Sequence, residues 1–243
     1  MSKKYNWGII GLGNIAHKFA EDLLLIADAN IYGVASREIE KAKAFGEKFQ
    51  ATKYYGSYQE LADDPAIDIV YIATPHVFHF ENTMMCLEAG KSVLCEKSFG
   101  MNALQVKKMI AKAHEKKVFL MEAFWTRFIP ATEKMMELIG SGLIGDLQSV
   151  RADFGFKAEF NPDKRLFNKK LGGGSLLDIG IYPVCLSLLT LGIPKNIVAM
   201  ATMSSTQVDQ TLGILFTYHG GQTAILDSSI VASTPVEAWL HGD

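Results

Sequence analysis

Lys97, Asp178 and Tyr182 are the residues whose types and settings are suited to chemistry. Lys97 follows Cys95-Glu96 at the end of an apolar run, where a strand is expected to stop. A lysine there can donate to a ribose or substrate hydroxyl, and its charge can act on a neighbouring acid–base group. An exposed loop lysine is the plainer alternative, and both readings stay open. Tyr182 closes Asp178-Ile179-Gly180-Ile181-Tyr182 inside an otherwise apolar stretch. In a helix, Asp178 and Tyr182 share one face at i and i+4. A carboxylate and a phenol in such surroundings are costly unless partnered, so they mark either a site or a satisfied core network.

The start of the chain offers a place for a dinucleotide cofactor. Trp7-Gly8-Ile9-Ile10 runs into Gly11-Leu12-Gly13-Asn14-Ile15-Ala16, a G-x-G-x-x-A spacing between a short apolar strand and a helical pattern carrying Phe19, Leu23 and Leu24. Gly11 permits the tight turn. Gly13 lets phosphates approach the backbone, and Ala16 is small enough for helix–strand packing. Gly11, Gly13, Asn14 and Ile15 are thus expected to hold a dinucleotide pyrophosphate at a helix N-terminus. About 20 residues beyond such glycines, proteins that prefer NAD carry an acidic residue for the ribose hydroxyls. Here Ser36-Arg37 stands at that place, and a hydroxyl with a guanidinium suits a 2′-phosphate. NADP is therefore expected over NAD, with Glu38 as the one carboxylate near enough to argue otherwise.

The elements around these residues alternate. Strands are predicted near Tyr5–Ile10, Asn30–Ala35, Ile67–Ala73, Ser92–Cys95 and Val118–Met121. Helices are predicted after Ala16, over Ile39–Phe49, after the capping pattern Ser57-x-x-Glu60, over His79–Ala89 and from Asn102 to about Lys116. This order implies a parallel sheet with helices on both faces. Right-handed crossovers bring every strand's C-terminal end to one edge. Gly11–Gly13, Ser36–Arg37, Thr74–His76 and Glu96–Lys97 all lie just past such ends, so four loops are expected to meet at one crevice.

The texture changes near Glu122. A helix is expected over Pro130–Ile139 and a strand over Leu147–Phe156. Gly172-Gly173-Gly174 then precedes an apolar helix, and strands follow over Asn196–Ser204, Gln207–Tyr218 and Gln222–Val231. Gly220-Gly221 marks a hairpin between the last two. The fold class expected is an α/β Rossmann dinucleotide-binding domain, residues 1–122, followed by an α+β domain with an open, mainly antiparallel sheet, residues 123–243.

Composition narrows the partners. Of 243 residues, 49% are hydrophobic and 21% charged, the balance of a globular protein, and the formal net charge is −2. No basic block favours nucleic acid. Three cysteines without a C-x-x-C argue against both a zinc site and a disulfide framework, and no metal is expected. A reducing, cytoplasmic setting follows, since Met1-Ser2-Lys3-Lys4 leads straight to the first strand with no room for a signal peptide. Ser175–Pro194 nearly reaches membrane-spanning length, but Asp178, Gly180 and Pro183 interrupt it, and a buried helix is predicted.

The glycine turn, Ala73-Thr74-Pro75, His79, Glu96-Lys97 and Gly172-Gly173-Gly174-Ser175-x-x-Asp178-x-Gly180-x-Tyr182 together resemble the Gfo/Idh/MocA oxidoreductase family. Glu122-Ala123-Phe124-Trp125-Thr126-Arg127-Phe128 is similar to its branch of dimeric dihydrodiol and NADP-dependent xylose dehydrogenases. The resemblance implies oxidation of a secondary alcohol on a sugar, polyol or cyclic diol. Tyr182 would take the hydroxyl proton, Lys97 would lower the phenol's pKa and orient the hydroxyl, and Asp178 would bind a second hydroxyl or fix the lysine. It further implies cofactor contacts from Thr74, His76, His79, Glu96 and Lys97, substrate contacts from Trp125 and Arg127 with His79 and Phe154 nearby, and a homodimer. Two departures stand out: Ser98 replaces the family's proline after Glu-Lys, and His76 its asparagine after Thr-Pro. Family members also run on beyond Leu240-His241-Gly242-Asp243, where this chain stops in what reads as mid-sheet. A fragment and a genuine truncation both remain open. A non-catalytic dinucleotide sensor or scaffold is the rival reading, and NAD-assisted glycoside cleavage a third.

Overall fold

The computed structural model describes residues 3–243. The reading of Met1 and Ser2 as a direct lead into the first strand lies outside them. Contacts divide the chain into two units, Met1–Phe124 and Trp125–Asp243.

The first unit runs β1 (Tyr5–Ile10), α1 (Asn14–Leu23), β2 (Ala29–Ala35), α2 (Ile39–Phe49), β3 (Lys53–Tyr55), α3 (Tyr58–Asp63), β4 (Ile69–Ile72), α4 (His79–Glu88), β5 (Ser92–Glu96), α5 (Ala103–Lys116) and β6 (Leu120–Ala123). Its six strands pair in the order β3-β2-β1-β4-β5-β6, all parallel. The order reverses at the β1/β4 junction, where parallel sheets open a crevice for ligands. Successive strand residues feed opposite faces. Ile9, Val34 and Tyr71 pack under Ala16, Ala20, Ala42 and Phe45 of α1 and α2. Ile10, Ala35, Val70 and Ile72 pack under Leu61, Leu87 and Met109 of α3, α4 and α5. Both faces are covered, which is why the strands read as near-continuous apolar runs.

The predicted caps form. Ser57 Oγ accepts the Glu60 N–H at 3.2 Å, while Glu60 Oε2 accepts the Gly56 N–H. Asn102 Oδ1 accepts the Gln105 N–H at 3.0 Å, and Gly90 ends α4 at φ +74°. The three-residue edge strand β3 was not foreseen, because its length carries no period. The last strand, predicted over Val118–Met121, is shifted to Leu120–Ala123 by its pairing with β5.

The second unit holds α6 (Pro130–Gly140), β7 (Leu147–Gly155), α7 (Ile181–Leu191), β8 (Asn196–Met203), β9 (Asp209–Thr217), β10 (Thr223–Ser229) and β11 (Ala238–Gly242). The sheet order is β11-β7-β10-β9-β8, antiparallel throughout except for the parallel β7–β10 pair. The predicted hairpin joins β9 to β10 through Tyr218–Gln222, with Gly221 at φ +92°. Strand β11 was not foreseen. One sheet face packs against Val184, Leu186 and Leu191, forming a core with Val150, Ile214, Phe216 and Leu226. The other presents Val198, Leu215, Ile225 and Trp239 to the surface.

The helix predicted over Ser175–Pro194 differs from expectation. It opens with a π turn, Leu176–Gly180, before α7, and it is not buried all round: Leu188 is exposed. Among the described residues, Lys169–Leu191 is the one helical stretch apolar and long enough to cross a membrane. Its packing on the sheet and its ion-paired Asp178 (below) are those of a core helix instead.

Candidate active site

The glycine turn is built as its spacing requires. Gly11 sits at φ +84°, and a Cβ there would meet the Ala73 carbonyl carbon and the Thr74 nitrogen at 2.6 Å. Only glycine lets the β1 and β4 ends approach this closely. Gly13 caps α1 in an extended conformation, and a Cβ there would meet nothing within 4 Å. Asn14 and Ile15 follow, exposed, and the first turn carries no acidic side chain. Ala16 is fully buried against the sheet. Free N–H groups at the helix start, open space above Gly13 and no carboxylate to repel an anion suit a dinucleotide pyrophosphate.

Past β2, Ser36 Oγ accepts the Glu38 N–H at 3.2 Å and Arg37 is exposed. Glu38, the competing carboxylate, is paired with Lys41 Nζ at 2.7 Å. Both side chains of that pair are largely in water, where such contacts contribute well under about 1 kcal/mol.

Past β4, the loop is held from inside. Thr74 Oγ1 accepts the Asn82 amide at 3.1 Å. His79 is fully buried at the start of α4. Its Nε2 lies 2.7 Å from the Thr74 carbonyl and its Nδ1 2.7 Å from the Ser98 carbonyl. His76 is also buried and packs edge-on against His79, with ring centroids 5.8 Å apart. The structure thus places His79 inside the packing between these loops. Each ring nitrogen lies within hydrogen-bond distance of a backbone carbonyl, one from the β4 loop and one from the β5 loop, and a neutral ring donates to one of them at a time. Burial pushes the His79 imidazole below its usual pKa, against the pull of the two carbonyls; the Lys97 charge adds to the lowering. His76, 5% exposed, shares this packing role.

Past β5 come Glu96 and Lys97. Glu96 Oε1 accepts the Tyr71 hydroxyl at 2.6 Å, and Oε2 accepts the Lys97 N–H at 3.2 Å. Burial raises the Glu96 carboxyl above the ordinary carboxylate range, outweighing these bonds and the Lys97 charge. Tyr71 is raised too, by burial first and then by the Glu96 charge. The Lys97–Ser98 peptide is cis. Next to it, Glu122 at the end of β6 accepts the Phe99 N–H at 2.9 Å.

In the second unit, Trp125 Nε1–H donates to the Tyr182 hydroxyl at 3.3 Å, and Phe154 lies against the Tyr182 ring with centroids 5.4 Å apart. Trp125, Tyr182 and Phe154 thus make an aromatic wall with a phenol oxygen in it. Arg127 is exposed in the turn Trp125–Phe128. Asp178 is buried, with Arg165 Nη1 at 2.7 Å. That ion pair is the partner its apolar surroundings demanded. Arg165 had no signal in the spacing, because the loop between it and Asp178 has no period. Tyr71 was likewise passed over, although a tyrosine inside a buried strand always needs a hydroxyl partner.

A glycine-turn parallel domain followed by a sheet domain with a tyrosine in an aromatic wall defines a two-domain, NAD(P)-linked oxidoreductase. The sequence profile described as the oxidoreductase family with an NAD-binding Rossmann fold matches residues 5–124, and the GFO/IDH/MocA C-terminal domain matches residues 132–243. This chain belongs to the GFO/IDH/MocA family. It is 40% identical over 242 residues to the trans-1,2-dihydrobenzene-1,2-diol dehydrogenase of Xenopus tropicalis, covering 97% of this chain and 72% of that protein. Identity to the human enzyme of the same name is 41% over 240 residues, covering 97% and 71%. Among solved structures, KijD10, a 3-ketoreductase from Actinomadura kijaniata in complex with NADP and TDP-benzene, superposes with a TM-score of 0.92 at 29% identity, covering 99% of this chain and 74% of that one. The aldose-aldose oxidoreductase of Caulobacter crescentus, complexed with glycerol, gives 0.91 at 26%, covering 99% and 75%.

Proposed function

We propose that the protein oxidises a secondary alcohol on a small cyclic diol, sugar or polyol with NADP, in the cytoplasm. The observation that carries this reading is the aromatic wall: a phenol oxygen offered among Trp125, Phe154 and Tyr182 suits a ring-shaped substrate that presents a hydroxyl. Identity of about 40% to dihydrodiol dehydrogenases supports it. Gly11, Gly13, Asn14 and Ile15 would hold the pyrophosphate, Ser36 and Arg37 the 2′-phosphate, and Thr74, Glu96 and Lys97 the remainder. When bound, the dinucleotide supplies the hydride acceptor. Tyr182 would take the hydroxyl proton, Lys97 would hydrogen-bond the reacting hydroxyl and support the phenolate that forms, and Trp125 and Arg127 would flank the substrate. Asp178, with its Arg165 partner, would anchor a second hydroxyl.

A homodimer is part of this reading. Val198, Leu215, Ile225, Arg151 and Trp239 stand in register as one row across the open sheet face. Exposed apolar sheet faces of this kind favour a second copy. Residues 1–122 and 123–243 would divide the work between cofactor and substrate.

The test is an absorbance assay with NADP and with NAD against trans-1,2-dihydrobenzene-1,2-diol, D-xylose and a set of polyols. Turnover of at least one ring compound, faster with NADP, is expected. Tight cofactor binding with no turnover on any of them would instead favour a sensor or scaffold. Sedimentation would show the dimer.

A further inference from the structure

We propose that Glu122, which lies outside the proton-transfer pair, is a positioning residue for Lys97: it fastens the chain just beyond Lys97 by accepting the Phe99 N–H. The inference rests on the reading that Lys97 does acid–base work. Lys97 is the first residue past β5, and the chain runs on through Ser98 and Phe99. That stretch is held at two consecutive residues. The Ser98 carbonyl faces His79 Nδ1 at 2.7 Å, and the Phe99 N–H donates to Glu122 Oε1 at 2.9 Å. The two holders come from opposite sides along the chain, α4 and β6. Both contacts act on the backbone directly after Lys97.

Glu122 is an expensive choice for the task. It stands at the end of β6 in register with Cys95, beside the second half-buried carboxylate, Glu96. Burial and the Glu96 charge both push its carboxyl above the ordinary range; the Phe99 bond and the Lys97 ammonium pull it back. A neutral acceptor would satisfy one N–H without that cost. A carboxylate makes the stronger bond, and the Phe99 N–H first and the Lys97 ammonium second offset part of its cost. Geometry and charge thus both connect Glu122 to Lys97.

The experiment is a double-mutant cycle with an exchange measurement on the full chain. Glu122→Ala should lower kcat about tenfold or more while the KM for NADP stays within about threefold. Glu122→Gln, whose amide oxygen can accept the same bond, should keep kcat within about threefold of the parent. In a Lys97→Met background, Glu122→Ala should cost almost nothing further, because the residue it positions is gone. Phe99 amide exchange, followed by NMR, should speed up in Glu122→Ala and stay slow in Glu122→Gln. A full additional loss in the Lys97→Met background, an unchanged kcat in Glu122→Ala, or unchanged Phe99 exchange would overturn the proposal. Undiminished turnover in Lys97→Met alone would overturn the Lys97 reading instead, and the exchange measurement would still decide whether Glu122 holds the loop.

Discussion

The two units treat their sheets in opposite ways. The first covers both faces with helices, and its proposed cofactor contacts lie past the ends of its parallel strands. The second covers one face, leaves the other open, and carries its proposed chemistry on a helix start and an aromatic wall. In the first unit the proposed pyrophosphate contacts are backbone, the N–H groups at Gly13 and beyond. In the second the proposed contacts are side chains: the Tyr182 hydroxyl, the Trp125 indole and the Asp178–Arg165 pair. A backbone site is lost by changing a glycine. A side-chain site is lost by deleting one oxygen.

The sharpest way to break this contrast is to delete that oxygen. Tyr182→Phe should lower kcat by about 100-fold or more, the range that general acid–base groups contribute, with NADP affinity within about threefold. Tight binding measured by fluorescence with near-normal turnover would remove Tyr182 from the chemistry. Lys97→Met should behave alike, although it stands in the other unit. Next in size, Gly11→Ala should do the reverse. Its Cβ would collide with Ala73 and Thr74, and φ +84° adds about 1–2 kcal/mol for any L residue. NADP affinity should fall by more than about tenfold, because the turn itself must shift. Calorimetry of cofactor binding would show it, and an unchanged Kd would mean the turn does not hold the pyrophosphate.

A smaller effect separates the two nicotinamide cofactors. Arg37→Ala should raise the KM for NADP about tenfold, the value of one charge-assisted bond, and leave NAD almost untouched. Equal losses for both would leave the 2′-phosphate without its guanidinium. Smallest of all is a stability change on the open face of the second sheet. Asp227 and Asp153 stand directly opposite on β10 and β7. Burial first, then the Asp153 charge, raises the Asp227 carboxyl above its usual 3.8. A carboxyl raised in the folded state contributes most below the unfolded value and loses that contribution as pH rises through the folded one. Asp227→Asn should therefore raise the melting temperature by about 1–2 °C at pH 7 and leave it unchanged at pH 3.

Much of the first unit was legible because its signals are local. The glycine turn, the Ser57 and Asn102 caps and the strand–helix alternation each depend on residues within a few positions of one another. Four loops could be placed on one edge without coordinates, since parallel strands joined by right-handed crossovers leave no other arrangement. Of the second unit, the hairpin at Gly220-Gly221 and the order of strands were legible for the same reason. The parallel β7–β10 pair was not, because it joins segments about seventy residues apart in sequence. Nor were β3 and β11, too short to show a period.

By itself the sequence determined an NAD(P)-binding parallel sheet and supplied the residue types proposed for the 2′-phosphate and for proton transfer. Only the tertiary structure decided what those residues touch. It set His79 between the Thr74 and Ser98 carbonyls, gave Asp178 its Arg165 and Glu96 its Tyr71, and put Glu122 against the Phe99 N–H beyond Lys97. The physical reason is that turns and caps are set by neighbours along the chain, whereas a buried polar group is satisfied by whatever the packing brings within 3 Å, and that partner leaves no mark in the spacing.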